Sequence, residues 1–290
     1  MRIGIDVGGT TVKIGYVDNH EIINKFEIKT NKDTLFSDIY NAIKDCKDVE
    51  FIGFGFPGHV KDNYIDVLPN VGISNVDVAK EFGKYFKGVK ILCTNDANAA
   101  ALGEVIAANK YKSSYFVTLG TGVGGGYIYN GKIVNGFNAN AGEIGHMFID
   151  PFNNFKCSCG RSGCLETVSS ATGIVRLAKV NFGKYKTSLD MNSISCKDIF
   201  DKAKENDELA LHVVDEASKY LGIALANIAT VCDVECFIIG GGVSRAGDFL
   251  IENIKKHYLN YCHYASKNIP IVLSTIKNDA GLLGASYLDE

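Results

Sequence analysis

Ile3-Gly4-Ile5-Asp6-Val7-Gly8-Gly9-Thr10-Thr11 leads into residues 12–17, then the turn Asp18-Asn19, then Glu21-Ile22-Ile23. An apolar run ends on a carboxylate, two glycines break it, a second apolar run follows, and an Asn-containing turn sends the chain back. That order reads as strand, glycine turn, strand, hairpin, strand. It returns later, where residues 115–119 enter Gly120-Thr121-Gly122-Val123-Gly124-Gly125-Gly126, followed by residues 127–129, the turn Asn130-Gly131 and Lys132-Ile133-Val134. The two copies differ in spacing by a few residues, so the echo is one of topology. It predicts two halves of similar fold facing one another, each offering a glycine turn to the space between.

Working outward, residues 35–46 have helical spacing, 50–56 form an apolar strand stopped by Pro57-Gly58, 78–86 read as a helix and 89–93 as a strand. Asn95-Asp96-Ala97-Asn98 opens an alanine-rich helix running to about residue 109, with polar side chains where the first amides need acceptors. Residues 165–180 and 208–232 look helical, 236–239 form a buried strand ending in Gly240-Gly241-Gly242, 269–275 form a strand, and 280–288 form a closing helix. Strands interleaved with helices predict an α/β fold.

The 290 residues are 46% apolar and 22% charged, enough for one large or two medium domains. A net charge of −3 offers no reason to expect nucleic-acid or acidic-membrane binding. Of nine cysteines, Cys46, Cys93, Cys196, Cys232, Cys236 and Cys262 are scattered, mostly in apolar contexts, which fits a reducing cytosol better than secretion. Met1-Arg2-Ile3-Gly4-Ile5-Asp6 begins as a strand with no charged and apolar leader, and no apolar stretch is long enough to span a bilayer. A cytoplasmic protein is expected.

The remaining three cysteines are concentrated. Cys157-Ser158-Cys159-Gly160-Arg161-Ser162-Gly163-Cys164 places three thiols and two glycines in eight positions, with ten residues separating His146 from Cys157. One imidazole and three thiolates suit the closed tetrahedral shell of structural Zn²⁺, and a Cys157–Cys159 disulfide would close a strained, very small ring. His146, Cys157, Cys159 and Cys164 are therefore expected to hold zinc as a clamp for polar groups beside it.

Asp6, Gly8, Gly9, Thr10 and Thr11 place a carboxylate, a backbone without Cβ atoms and two hydroxyls at a strand end. Such a turn can cradle phosphate oxygens, with Asp6 holding Mg²⁺ and Lys13 a candidate to reach the phosphates. It matches neither the P-loop nor the dinucleotide fingerprint. Two further turns, around Thr121-Gly122 and Gly241-Gly242, make three glycine turns at strand ends, and together they favour a nucleotide cradle. Asn95-Asp96 reads as a helix N-cap or, more sharply, as a general base: Asp96 takes a hydroxyl proton while that oxygen attacks a phosphoryl group, and Asn95 orients the hydroxyl carrier. Both can hold together. Glu143 and Glu166, with His146, can bind the vicinal hydroxyls of a sugar through charge-assisted hydrogen bonds. Their plainer roles are a helix cap for Glu166 and support of the metal shell for Glu143. Gly58 can supply backbone contacts. His59, His20, His212, His257 and His263 show no ligand spacing and are read as exposed or structural.

Together these residues resemble the ROK family (repressors, open reading frames, sugar kinases) of the actin-like, sugar-kinase and heat-shock ATPase superfamily. The resemblance rests on residues 6–11, Phe56-Pro57-Gly58, Asn95–Asn98, the run 117–146, the Cys-x-Cys-Gly-x-x-Gly-Cys-x-Glu loop and Gly240–Gly242. It implies two ribonuclease-H-like lobes with a cleft between them that closes over the sugar and excludes water. Residues 1–114 form the small lobe, completed by a C-terminal helix at 279–290, and residues 115–278 the large lobe with the zinc loop and a homodimer interface. It also implies transfer of the ATP γ-phosphoryl group to a hexose 6-hydroxyl, with Asp96 as base and Asn95, Glu143, His146 and Glu166 on the sugar. Residues 166–176 look most like the glucokinase branch. N-acetylmannosamine, N-acetylglucosamine, fructose, allose and mannose are alternative substrates. Repressors of the family carry an N-terminal helix-turn-helix, whereas the first strand here starts at Ile3, so a regulator is not expected; nor is a catalytically silent sugar binder, since Asp6 and Asp96 are both present.

Overall fold

The computed structural model describes residues 1–68, 70–152 and 155–290. Strands β1 (Arg2–Val7), β2 (Thr11–Asp18) and β3 (Glu21–Lys29) form an antiparallel meander, then helix α1 (Leu35–Ile43) leads to β4 (Phe51–Phe56). A hairpin of β5 (Tyr64–Leu68) and β6 (Ile73–Asp77) and the short helix α2 (Val78–Phe82) follow, then β7 (Lys90–Asn95) and α3 (Asp96–Ala108). The sheet order is β3-β2-β1-β4-β7, with β1, β4 and β7 parallel. β4 is buried along its whole length, as expected for an interior strand of a sheet covered on both faces. Phe54 sits 5.1 Å edge-on from Phe82 and 5.6 Å stacked on Phe56, ring centre to ring centre. Full burial of each such side chain contributes roughly 2 kcal/mol.

The second sheet repeats the plan. β8 (Ser114–Leu119), β9 (Val123–Tyr129) and β10 (Lys132–Ile133) come first, then α4 (Glu166–Ser169), α5 (Ala171–Asn181), α6 (Cys196–Lys204) and α7 (Glu208–Cys232). β11 (Cys236–Gly240), α8 (Asp248–Tyr261), β12 (Ile271–Leu273) and α9 (Ala280–Ala285) complete the chain. The order β10-β9-β8-β11-β12 mirrors the first sheet, a strand meander on one side and parallel strands on the other. The topological echo between residues 3–23 and 115–134 thus corresponds to two sheets of one design. α7 is the long apolar helix expected at 208–232. Asp207 caps it, accepting the Ala210 N–H at 3.1 Å, and Asp233 ends it in the left-handed region at φ 47°. No helix among the described residues is long and apolar enough to cross a membrane.

By contact the chain forms two compact units, one of residues Met1–Ser114, Gly126–Gly142 and Thr275–Glu290, the other of Tyr115–Gly125 and Glu143–Ser274. Residues 126–142, expected in the second lobe, group with the first. The reason is local: Gly126 lies so close to α3 that a Cβ there would meet the Ala101 Cβ at 2.6 Å, and Gly131 donates to the Lys112 carbonyl at 2.7 Å. The return to the first unit comes at Thr275, because Glu104 of α3 accepts the Thr275 and Ile276 amides.

Several element boundaries differ from the sequence reading. The helix expected over 165–180 is two helices, because Ser170 is extended and its hydroxyl caps α5 by accepting the Gly173 N–H at 3.0 Å. The helix at 78–86 stops at Phe82, where Gly83 takes over as C-cap. The last strand and last helix are shorter than read. The β5–β6 hairpin, α6 and α8 have no counterpart in that reading.

Candidate active site

In the first unit, Asp6 lies near the end of β1, directly opposite Lys13 in the antiparallel register, with Lys13 Nζ 3.8 Å from its carboxylate. Burial raises the Asp6 pKa above its usual value, and Lys13 opposes the rise by charge and hydrogen bonding. The turn after it is tight: the Gly8 N–H donates to the Thr11 carbonyl at 2.9 Å. Thr30 secures it, its hydroxyl on the Gly8 carbonyl at 2.7 Å and its N–H on the Thr10 carbonyl at 3.0 Å. Gly9 and Thr10 stay exposed. Gly281 of α9 flanks Asp6, and a Cβ there would stand 3.2 Å from the carboxyl carbon.

Asn95 is the N-cap of α3. Its Oδ1 accepts the Ala97 and Asn98 amides at 2.8 and 3.3 Å, and its Nδ2 donates to the Gly58 carbonyl at 3.0 Å. Three of the four hydrogen-bonding positions of that amide are thereby used, and one N–H is left to meet a ligand. Gly58 therefore serves by its carbonyl, at φ 146°, and holds Asn95 in place. Asp96 occupies the first turn of α3, its Oδ1 accepting the Ala97 N–H at 2.7 Å. The cap reading and the presentation of Asp96 at a helix edge are compatible. His59, read as loop surface, pairs its Nε2 with the Asn138 carbonyl at 2.8 Å.

In the second unit, Gly120-Thr121-Gly122 is a turn closed by the Gly120 N–H on the Gly122 carbonyl at 2.9 Å. The start of α5 clasps it: Ala171 N–H donates to Gly120 and the Thr172 hydroxyl to Thr121, both at 2.8 Å. Gly241, at φ 82°, presses against Leu119, where a Cβ would lie 2.6 Å from the Leu119 nitrogen, and Gly242 is open. Two of the three glycine turns are thus brought together at the ends of neighbouring strands β8 and β11.

Glu143 precedes a single 3-10 turn, Ile144–His146, and its carbonyl accepts the His146 N–H at 3.1 Å. Only glycine fits at 145, since any side chain would overlap the Val123 carbonyl. His146, Cys157, Cys159 and Cys164 converge, each offering one ligand atom, all within 4.8 Å of one another. The His146 Nδ1 is 3.5 Å from the Cys157 sulfur, and the Cys159 and Cys164 sulfurs are 3.7 Å apart. No disulfide forms among the described cysteines. Gly160, at φ 87°, and the Gly160 N–H on the Cys157 carbonyl at 3.1 Å turn the loop so its sulfurs face inward. Burial pushes the Cys157 thiol up to about 12, whereas hydrogen bonds from the Arg161 backbone and side chain draw the exposed Cys159 down to about 6. The set can hold a metal ion.

Glu166 opens α4 beside this cluster. Its Oε1 accepts from the Cys157 thiol at 3.0 Å and the Ser158 hydroxyl at 3.2 Å, while its Oε2 lies against Gly122, 2.6 Å from where a Cβ would be. Sequence reasoning passed over Ser158 because a serine in a polar loop carries no signal without its contacts. It also missed Glu104, 1% exposed on α3, for the same reason.

Two curated relatives are similar to this chain in sequence, and one solved structure is similar to it in sequence and fold. A glucokinase of Halalkalibacterium halodurans is 39% identical, with 99% of this chain and 94% of that one covered. A glucokinase of Thermotoga maritima is 33% identical over 99% of this chain and 96% of that one. The crystal structure of a ROK family glucokinase from Streptomyces griseus, in complex with glucose and AMPPNP, is 29% identical, with a TM-score of 0.79 over 99% of this chain and 98% of that one. The ROK family model matches residues 2–290, a span that takes in the glycine turns, the Asn95-Asp96 pair and the cysteine loop alike, and the chain belongs to that family.

Proposed function

We propose that the chain is an ATP-dependent hexose kinase acting on the 6-hydroxyl of D-glucose. The observation that carries this reading is the 39% identity to a glucokinase over the length of both chains. Its chemistry is within reach of the residues described. Asp96 takes the hydroxyl proton, the sugar oxygen forms a bond to the γ-phosphorus, and the bond from that phosphorus to the β–γ bridging oxygen breaks, so that ADP leaves with the electron pair. In the first unit, Asn95 is left one N–H with which to orient the sugar, and the Gly8–Thr11 turn is the proposed phosphate cradle. In the second unit, Glu143, His146 and Glu166 are the proposed sugar ligands, and the Thr121-Gly122 and Gly241-Gly242 turns the proposed nucleotide contacts. Mg²⁺, when bound with ATP, neutralises phosphate charge; Asp6 is the carboxylate that would hold it, with Lys13 beside it.

The cysteine cluster is proposed to hold structural zinc. Zn–S bonds of about 2.3 Å and a Zn–N bond of about 2.0 Å make tetrahedral edges of about 3.5–3.8 Å. The separations of 3.5 and 3.7 Å agree with that geometry. With Nδ1 turned to Cys157, the Nε2 of His146 is the nitrogen left for a sugar hydroxyl. The free cysteines favour a cytoplasmic protein, and a homodimer is proposed from the family resemblance.

A coupled ADP-release assay over glucose, mannose, fructose, allose, N-acetylglucosamine and N-acetylmannosamine tests the reading. Glucose should be the best acceptor. A preference for an acetylated sugar would move the protein to another branch, and no turnover with any acceptor would refute the kinase.

A further inference from the structure

The two oxygens of Glu166, a proposed sugar ligand, are held differently. Oε2 rests against the backbone of Gly122, and Oε1 is approached by two donors, the Cys157 sulfur at 3.0 Å and the Ser158 hydroxyl at 3.2 Å. The same hydroxyl is 3.9 Å from the Cys157 sulfur, so it stands beside both. These two donors are not equivalent. The Cys157 sulfur is one of the four converging ligand atoms of the proposed metal site, and the Ser158 hydroxyl is not. Ser158 is therefore the donor to Oε1 that stands outside the metal site.

We propose that Ser158 is a positioning residue: its hydroxyl fixes the Glu166 carboxylate in the metal-loaded protein and so sets the affinity for the sugar. The inference rests on the reading of Glu166 as a sugar ligand. Ser158 lies between two metal ligands in sequence yet is itself exposed, so its removal leaves the buried sulfurs and the core unchanged. A carboxylate that has lost this hydrogen bond is freer to rotate, and ordering it again opposes sugar binding. Sugar bound in the ground state and in the transition state suffers equally, so KM rises while kcat holds.

The test compares the zinc-loaded parent with Ser158→Ala and Ser158→Thr, measuring zinc per chain, glucose affinity by calorimetry without ATP, and KM and kcat for glucose and for ATP. Ser158→Ala should keep its zinc, raise both the dissociation constant and the KM for glucose about tenfold, and leave kcat and the ATP KM within about twofold, as loss of one exposed hydrogen bond to a charged acceptor predicts. Ser158→Thr, which restores a hydroxyl, should recover most of the affinity. Unchanged glucose affinity in Ser158→Ala, loss of zinc from that variant, or no recovery in Ser158→Thr each overturns the proposal. A parent protein that neither binds nor phosphorylates glucose marks instead the failure of the kinase reading, and the role of Ser158 falls with it.

Discussion

Glu104, buried in α3, accepts the Thr275 amide at 2.9 Å and the Thr275 hydroxyl at 3.0 Å through one oxygen, and the Ile276 amide at 3.3 Å through the other. The helix that begins at Asp96 is thereby tied to the point where the chain re-enters the first unit. Buried donors stripped of their acceptor cost more than the hydrogen bonds contributed. Glu104→Ala is expected to lose about 3 kcal/mol of stability. Glu104→Gln should lose less, because an amide keeps one accepting oxygen but turns an N–H₂ toward another donor. Urea denaturation of the two variants checks both, and a cost in Glu104→Ala no larger than in an exposed Glu→Ala control would contradict the assignment.

α3 and α9 cross with their backbones nearly touching. A Cβ on Gly284 would overlap the Ala99 carbonyl, and one on Gly103 would overlap the Ala280 carbonyl. Backbone cannot yield as a flexible side chain can. Gly284→Ala and Gly103→Ala should each lose about 3 kcal/mol or fail to express in soluble form. Gly88→Ala, where nothing lies within 4 Å of the added methyl but φ is 80°, should cost only the smaller backbone strain. Thermal melts of the three would reveal the contrast, and equal losses would sink it.

Asp96 and Asn95 separate chemistry from folding. Asp96→Asn should lower kcat by about 10³-fold with a melting temperature near that of the parent, since the proton acceptor is lost and the helix start is kept. Asn95→Ala removes the cap and the bond to Gly58, and should cost about 1 kcal/mol of stability as well as activity. Full activity in Asp96→Asn would end the proposed mechanism.

The Asp6 carboxyl is raised by burial, with Lys13 resisting. A raised native pKa means the fold binds the proton more tightly than the unfolded chain does. That contribution is complete below the unfolded carboxylate pKa and is lost as pH climbs through the higher native value. Asp6→Asn is neutral throughout, so its stability relative to the parent should rise with pH across and just above the carboxylate range, while kinase activity falls. Denaturation curves at a series of pH values give the sign, and a relative stability that declined with pH would show that Lys13 outweighs burial.

Metal analysis should find about one zinc per chain, the content of a single closed site. Cys159→Ser is expected to lose the metal, and sugar affinity with it if the cluster braces Glu143, His146 and Glu166. Normal glucose binding by metal-free protein would separate the two roles.

Much of this was legible locally. Asn95 as helix start, the left-handed stop of α3 at Asn109 and the length of α7 follow from residues within one turn of each boundary. The convergence of the cysteine loop was legible because eight residues with two glycines can bring three thiols close in space. The break at Ser170 was not, because its apolar pattern continues on both sides and only the cap on Gly173 interrupts it. Nor was the placement of residues 126–142, which depends on what Gly126 meets across the first unit.

The chain by itself determined the strand-turn-strand echo, the caps and the crowding of three cysteines into one short loop, since each depends on side-chain chemistry and short-range spacing. Only the tertiary structure decided that Glu104 anchors Thr275, that Gly145 and Gly284 admit no side chain, and that Cys157 and Ser158 share one oxygen of Glu166. Those are contacts across folded elements, where packing density and hydrogen-bond satisfaction select partners that no local pattern names.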